Sequence, residues 1–256
     1  MWSLSTQVAP KNESGACWYG HTTQTLFALG KAMIGLSGLI GDRMMGLLNS
    51  LRRRVVIGRP AELATFLDRQ AAFLVQKCIF EYSRARSGVL SPQLFKEAAF
   101  KAAIEDARWR NYPLCLENVV LMVEHALRPA AEASAPAMRE GLIALACVIC
   151  RKYPLPVGMQ ADFWARAEKQ IARRIRQASL SPPRPVKDIP HDTAERFFAS
   201  LPIHADLTSF DFELVTNNIR VNLCRAYEDF VAVADRPALI AALTAAPAPR
   251  SVGEPG

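Results

Sequence analysis

The run PLCLENVVLMVEHALR, residues 113–128, decides the fold, because its apolar residues fall on every side of a 3.6-residue turn. A helix that is hydrophobic all round belongs in the centre of a bundle. Its few polar side chains are ordered: Glu117, Glu124 and Arg128 share one stripe at i, i+7 and i+11, and Asn118 and His125 run beside them, also seven apart. Outward from this run, proline punctuates the chain at helix-like intervals. Pro60, Pro92, Pro113, Pro136 and Pro237 each open a run compatible with a helix, since proline's missing N–H costs nothing in the first turn. Ser91 reads as the cap of the helix that Pro92 opens, while Gly88, Pro129 and Pro154 read as stops. Helices are predicted over 23–50, 61–86, 92–109, 113–128, 136–152, 160–178, 191–200, 209–234 and 237–245, and no alternating β-branched runs compete with them.

The expected fold is therefore all-α: a multi-helix bundle with an amphipathic N-terminal helix and a helical C-terminal region. The division is an extension over 1–59, a bundle over 60–180, the Pro-rich connector SPPRPVKDIP over 181–190, helices over 191–245, and a disordered tail over 246–256. With 256 residues, half of them hydrophobic and 21% charged, the chain can bury a core and is neither disordered nor fibrous.

The net charge of +7 is unevenly placed. Residues 1–59 hold seven Lys/Arg against two Asp/Glu, residues 60–150 ten against ten, residues 151–190 nine against three, and residues 191–256 five against nine. A neutral middle flanked by cationic zones suits docking on acidic partners. In the first zone Leu29, Met33, Leu36, Ile40, Met44, Leu47 and Leu51 form one helical stripe, closed by Arg52, Arg53 and Arg54, with Arg59 beyond. An apolar face with a basic end fits a helix lying in an anionic membrane interface; the apolar stretch is short for a span and contains Lys31. In the second zone, ADFWARAEKQIARRIRQASL, Phe163, Ala167, Ile171, Ile175 and Ala178 make the apolar stripe, and Arg166, Lys169, Arg173, Arg174 and Arg176 flank it. Nucleic acid is the least favoured partner of this helix, because no aromatics interleave with the cations and no recognition motif is present.

Catalytic candidates come from the central helix. Gln70, Lys77, Glu81 and Arg84 interrupt the apolar arc of the preceding long helix at i, i+7, i+11 and i+14. If that arc faces residues 113–128, opposite charges meet in a partly buried network, and Glu117, Glu124 and His125 become the general acid–base cluster. No serine elbow, phosphate-binding loop, dinucleotide fingerprint or zincin motif occurs, and GLSGLIG has the wrong spacing for an elbow. Cys147 and Cys150 form a C-x-x-C inside an apolar run without further ligands, so core packing is expected there, with no metal and no cofactor. Of the six cysteines, the five inside apparent helical runs are expected to be reduced and buried, because the first 25 residues are polar and no secretory signal is read.

The stretch FLDRQAAFLVQKCIFEYSRARSG, continuing into LFKEAAFKAAIEDARWRNYPLCL, resembles a group of uncharacterised bacterial helical proteins, some of them labelled esterases. The resemblance covers about residues 63–128, implies a compact helical domain and carries no site residues. The residues themselves point first to a non-catalytic scaffold, adaptor or assembly factor, cytoplasmic and held peripherally at the inner face of a membrane, with a protein partner. A hydrolase-like enzyme using Glu117, Glu124 and His125 is the alternative, and nucleic-acid binding the third.

Overall fold

Ile57, just upstream of the first helix, is pinned between two later ones. Its amide donates to the Val233 carbonyl (2.8 Å) and its carbonyl accepts from the Asp235 amide (2.9 Å), in an isolated parallel bridge with Ala234. The computed structural model describes residues 56–245 with the exception of Ser209. The expected helix 23–50, its apolar stripe, Arg52–Arg54 and the tail 246–256 lie outside the described residues.

Among the described residues the fold is all-α. Helix α1 (Pro60–Val75) runs through a π-helical turn at Gln76–Glu81 into α2 (Tyr82–Ser87), which ends at Gly88 with φ +51°. That left-handed stop is where glycine is cheapest, and the sequence marks it correctly. Then follow α3 (Ser91–Leu94), α4 (Ala98–Ala131), α5 (Ala135–Arg151), α6 (Phe163–Ala178), α7 (His191–Ala199), α8 (Ala205–Thr208), α9 (Phe212–Val233) and α10 (Arg236–Ala245).

Helix α4 is the axis of the bundle. Every residue from Asn111 to His125 is buried, and α1, α5, α6, α7, α9 and α10 pack around it. The all-round apolar pattern of residues 113–128 is thus explained. The predicted boundary at Pro113 is not: 92–109 and 113–128 are one helix, entered after a short turn, and Pro113 and Pro129 lie inside it. An interior proline costs about 3 kcal/mol. Burial on both sides of Pro113 outweighs that, since Tyr112, Leu114, Cys115, Leu116, Val119 and Val120 would otherwise lose about 1.5–3 kcal/mol each. The helices after the Pro-rich connector share this core, through Val215, Ile219, Leu223, Phe230, Leu239 and Leu243.

Two further ties orient the elements around α4. Asp68 of α1 accepts from the Tyr112 and Tyr153 hydroxyls (2.6 Å each) and the Lys152 ammonium (2.5 Å), beneath the ring cluster of Trp109, Tyr112, Tyr153 and Trp164. At α5, Gly141 lies against the backbone of Leu243 in α10. A Cβ there would stand 2.9 Å from the Leu243 carbonyl carbon and 3.1 Å from its Cα, so the two helices close only over glycine.

Candidate functional site

The three carboxyl and imidazole groups picked from α4 do not share one site. Glu124 is fully buried and saturated. Both its oxygens accept from Arg128 (2.8 and 2.6 Å), one turn along α4, and Arg139 of α5 stands 3.4 Å away. Arg128 also donates to the carbonyls of Ser181 (2.6 Å) and Ala178 (3.3 Å), so this ion pair clips α4 to the C-terminal end of α6. With both oxygens bonded to Arg128, this carboxylate is committed to the ion pair.

His125 is buried beside it. Its Nδ1 lies 3.3 Å from the Arg184 carbonyl, and its Nε2, without a hydrogen-bond partner, lies 3.9 Å from Glu124. Burial pushes its pKa below the ordinary imidazole range, with the neighbouring arginines adding to the shift and Glu124 opposing it. The ring is therefore neutral at pH 7, and the carbonyl at Nδ1 marks that nitrogen as the protonated one.

Glu117, two turns earlier, faces different surroundings. It lines a cleft of about 660 Å³ between α4, the loop before α6, α6 and α7. Pro113, Leu114, Met159, Phe163 and Ile171 supply the apolar wall; Arg110, Arg166, Arg196, Gln160 and Gln170 supply the polar groups. The loop reaches this position through Gly158, whose φ of +81° disfavours any other residue. Only 1% of Glu117 is exposed; one carboxyl oxygen stands 3.4 Å from the Arg174 guanidinium and the other has no hydrogen-bond partner. Burial pushes its pKa up to about 7, against the pull of Arg174, Arg196, the Gln170 amide and Arg173. Such a carboxyl changes charge near neutrality, as a general acid or base must.

The partners of these carboxylates differ from those the sequence suggests. Lys77 and Glu81 pair with each other on the surface (2.9 Å), and among the described residues no ion pair joins the polar stripe of α1 to Glu117 or Glu124. The cations facing these carboxylates come instead from α4 itself, α5, α6 and α7. Asn118 exchanges hydrogen bonds with Thr193 of α7 (2.9 and 3.3 Å), and Asp192 at the start of α7 takes both Arg174 and Arg184. Sequence reasoning misses the cleft entirely. Its one legible sign is Gly158 between the C-terminus of α5 and the basic helix.

Basic helix α6 has two kinds of cation. Arg174 is drawn inward, and Arg176 pairs with Glu140 of α5 (2.9 and 2.6 Å). Among the described residues Lys169 and Arg173 are exposed and make no ion pair, and Arg173 donates to Gln170 (3.2 Å). Arg166, at i−3 to Lys169 and i−7 to Arg173, shares their face and holds Gln160 (2.8 Å) and Asp162 (3.3 Å). Arg196 of α7, on the same cleft, is exposed and has neither a hydrogen bond nor an ion pair among the described residues.

Cys147 and Cys150 lie in the core of α5, where burial pushes their thiols up to about 11 and about 12, far from a reactive thiolate. Among the described residues no group of three or more His, Cys, Asp or Glu is placed to hold a metal ion. Comparison with protein-family models, curated proteins and solved structures finds no match.

Proposed function

We propose that the chain is a non-catalytic helical adaptor that docks peripherally on an anionic membrane surface, with the bundle as a rigid body and its cationic zones as the attachment. The observation that supports this reading is the cationic face of α6. Arg166, Lys169 and Arg173 align on one side of the helix, and Lys169 and Arg173 make no ion pair among the described residues, while Arg174 is drawn inward and Arg176 pairs with Glu140 at the surface. Free cations on one face attract an anionic surface at about 1 kcal/mol each when they lie near it. The apolar stripe Leu29–Leu51 and Arg52, Arg53 and Arg54 supply the remaining part of the proposal, on sequence alone.

Co-sedimentation of the full chain with phosphatidylserine/phosphatidylcholine vesicles tests it. Binding should weaken with salt and vanish on pure phosphatidylcholine. Replacing Lys169 and Arg173 by Gln should cost about 2 kcal/mol, or roughly thirtyfold in affinity, and replacing Arg52, Arg53 and Arg54 roughly a hundredfold. Equal binding to neutral vesicles, or no effect of either set, would overturn the proposal.

A further inference from the structure

Glu117 and Arg196 leave the cleft chemically incomplete, and the missing group can be named. The charged groups around the Glu117 carboxyl are Arg173 and Arg174 from α6, Arg196 from α7, and Arg110 and Arg166 at the mouth. Arg110 is neutralised by Asp106 (2.6 Å), Arg166 by Asp162 (3.3 Å), and Arg174 by Asp192 and Glu117. Among the described residues Arg196 and Arg173 make no ion pair; each feels the Glu117 carboxyl only at longer range, and Arg173 hydrogen-bonds the Gln170 amide. The second oxygen of Glu117 has no hydrogen-bond partner among the described residues. A positively charged ligand would enter against this surplus of arginine. An anion is favoured, and the planar fork of Arg196 fits a carboxylate in two parallel hydrogen bonds. Leu114, Pro113, Met159 and Phe163 offer its body an apolar wall in a cleft of about 660 Å³, the volume range of small-molecule sites.

We propose that this cleft binds a small organic carboxylate, clamped by Arg196 and sharing one proton with Glu117. The ligand's carboxylate and the Glu117 carboxyl then form an acid–carboxylate pair, in which Glu117 donates its O–H to a ligand oxygen and two like charges never face each other. No covalent bond forms or breaks; one proton is taken up from solvent for each ligand bound when Glu117 starts ionised. The proposal stands apart from vesicle docking, since neither Glu117 nor the apolar wall is needed there.

Isothermal titration calorimetry of the full chain with benzoate and hexanoate as probes, and benzylamine as the cationic control, tests it. Because Glu117 titrates at about 7, carboxylate affinity should be about tenfold higher at about pH 6 than at about pH 8. Heats measured in two buffers of different ionisation enthalpy should show proton uptake that rises between these pH values. Arg196→Gln, on an exposed side chain whose loss leaves the core intact, should weaken binding at least about tenfold. Glu117→Gln should still bind, with the pH dependence gone, and benzylamine should give no heat. The proposal fails if neither carboxylate binds at about 10 mM, if the affinity is the same at both pH values, or if Arg196→Gln binds as tightly as the parent.

Discussion

Replacing Glu124 by Gln keeps the side chain's size and removes its charge, which separates a structural carboxylate from a catalytic one. In the native fold this group accepts from Arg128 at 2.8 and 2.6 Å and faces Arg139 at 3.4 Å. The Arg128 and Arg139 side chains are only 12% and 14% exposed, so neither recovers its hydration when the carboxylate goes. Hydrogen bonds to charged groups are worth about 1.5–3 kcal/mol, and breaking a buried ion pair from one side costs about 3–5 kcal/mol. The upper range applies here, because two guanidinium groups lose their counter-charge together. For a domain of this length 1 kcal/mol is about 2–4 °C, so Glu124→Gln should lower the melting temperature by about 10 °C, followed by circular dichroism. The double variant Glu124→Leu/Arg128→Met, which removes both main partners, should be less destabilised than Glu124→Gln alone. A loss below about 1 kcal/mol in Glu124→Gln, with the double variant worse, would refute the reasoning and return Glu124 to the list of reactive groups.

Four other outcomes follow from the same geometry. Gly141→Ala gains about 1 kcal/mol of helix propensity but drives a methyl into the Leu243 backbone; shifting α10 to relieve this uncovers Leu243, worth about 1.5–3 kcal/mol, so urea unfolding should show net destabilisation. Glu117 has a raised folded-state pKa, so the native state holds its proton more tightly than the unfolded chain does; stability should fall from about pH 4.5 to about pH 7, by about 3 kcal/mol, and Glu117→Gln should abolish that fall in urea titrations across pH. Burial alone would raise the Asp68 carboxyl, but the bonds from Lys152, Tyr112 and Tyr153 outweigh it and hold it below the usual range. Asp68→Asn should thus cost about 2–4 kcal/mol and change the fluorescence of Trp109 and Trp164, with an unaltered spectrum counting against Asp68 as the organiser of the ring cluster. In thiol titration of the native protein, Cys78, Cys115, Cys147 and Cys150 should react only on unfolding, after the part-exposed Cys224.

The central helix was legible because its signal was local. A stretch apolar on all sides has no solvent face to give it, and residues 113–128 accordingly lie at the axis of the bundle. The glycine stop at Gly88 is local in the same sense, whereas Glu124 and Arg128 lie on the stripe that the sequence marks, with partners expected from the preceding helix and not from each other. Pro113 was misread because proline carries a strong local preference that tertiary burial overrides, and nothing within one turn of it records what packs there. The site was only partly legible for a related reason. Periodicity placed Glu117 and Glu124 on one stripe of α4, but it does not say which element covers each turn of that stripe. Arg128 and Arg139 seal Glu124, whereas Arg174, the Gly158 loop and α7 leave a cleft at Glu117. Those neighbours are distant in sequence, and only the packing of α6 and α7 brings them to α4.

The +7 of the whole chain takes on a different meaning once the pairs are assigned. Much of the arginine charge on α6 is spent internally, on Glu117, Asp192 and Glu140, so the surface effect comes from a few residues. Amide hydrogen exchange of the full chain, with and without phosphatidylserine vesicles, reads that surface most directly. The docking account predicts protection over residues 26–54 and slower exchange along α6 around Arg166–Arg173, both lost in high salt. Exchange unchanged by vesicles in both segments, or protection confined to other helices such as α1 and α10, would contradict it.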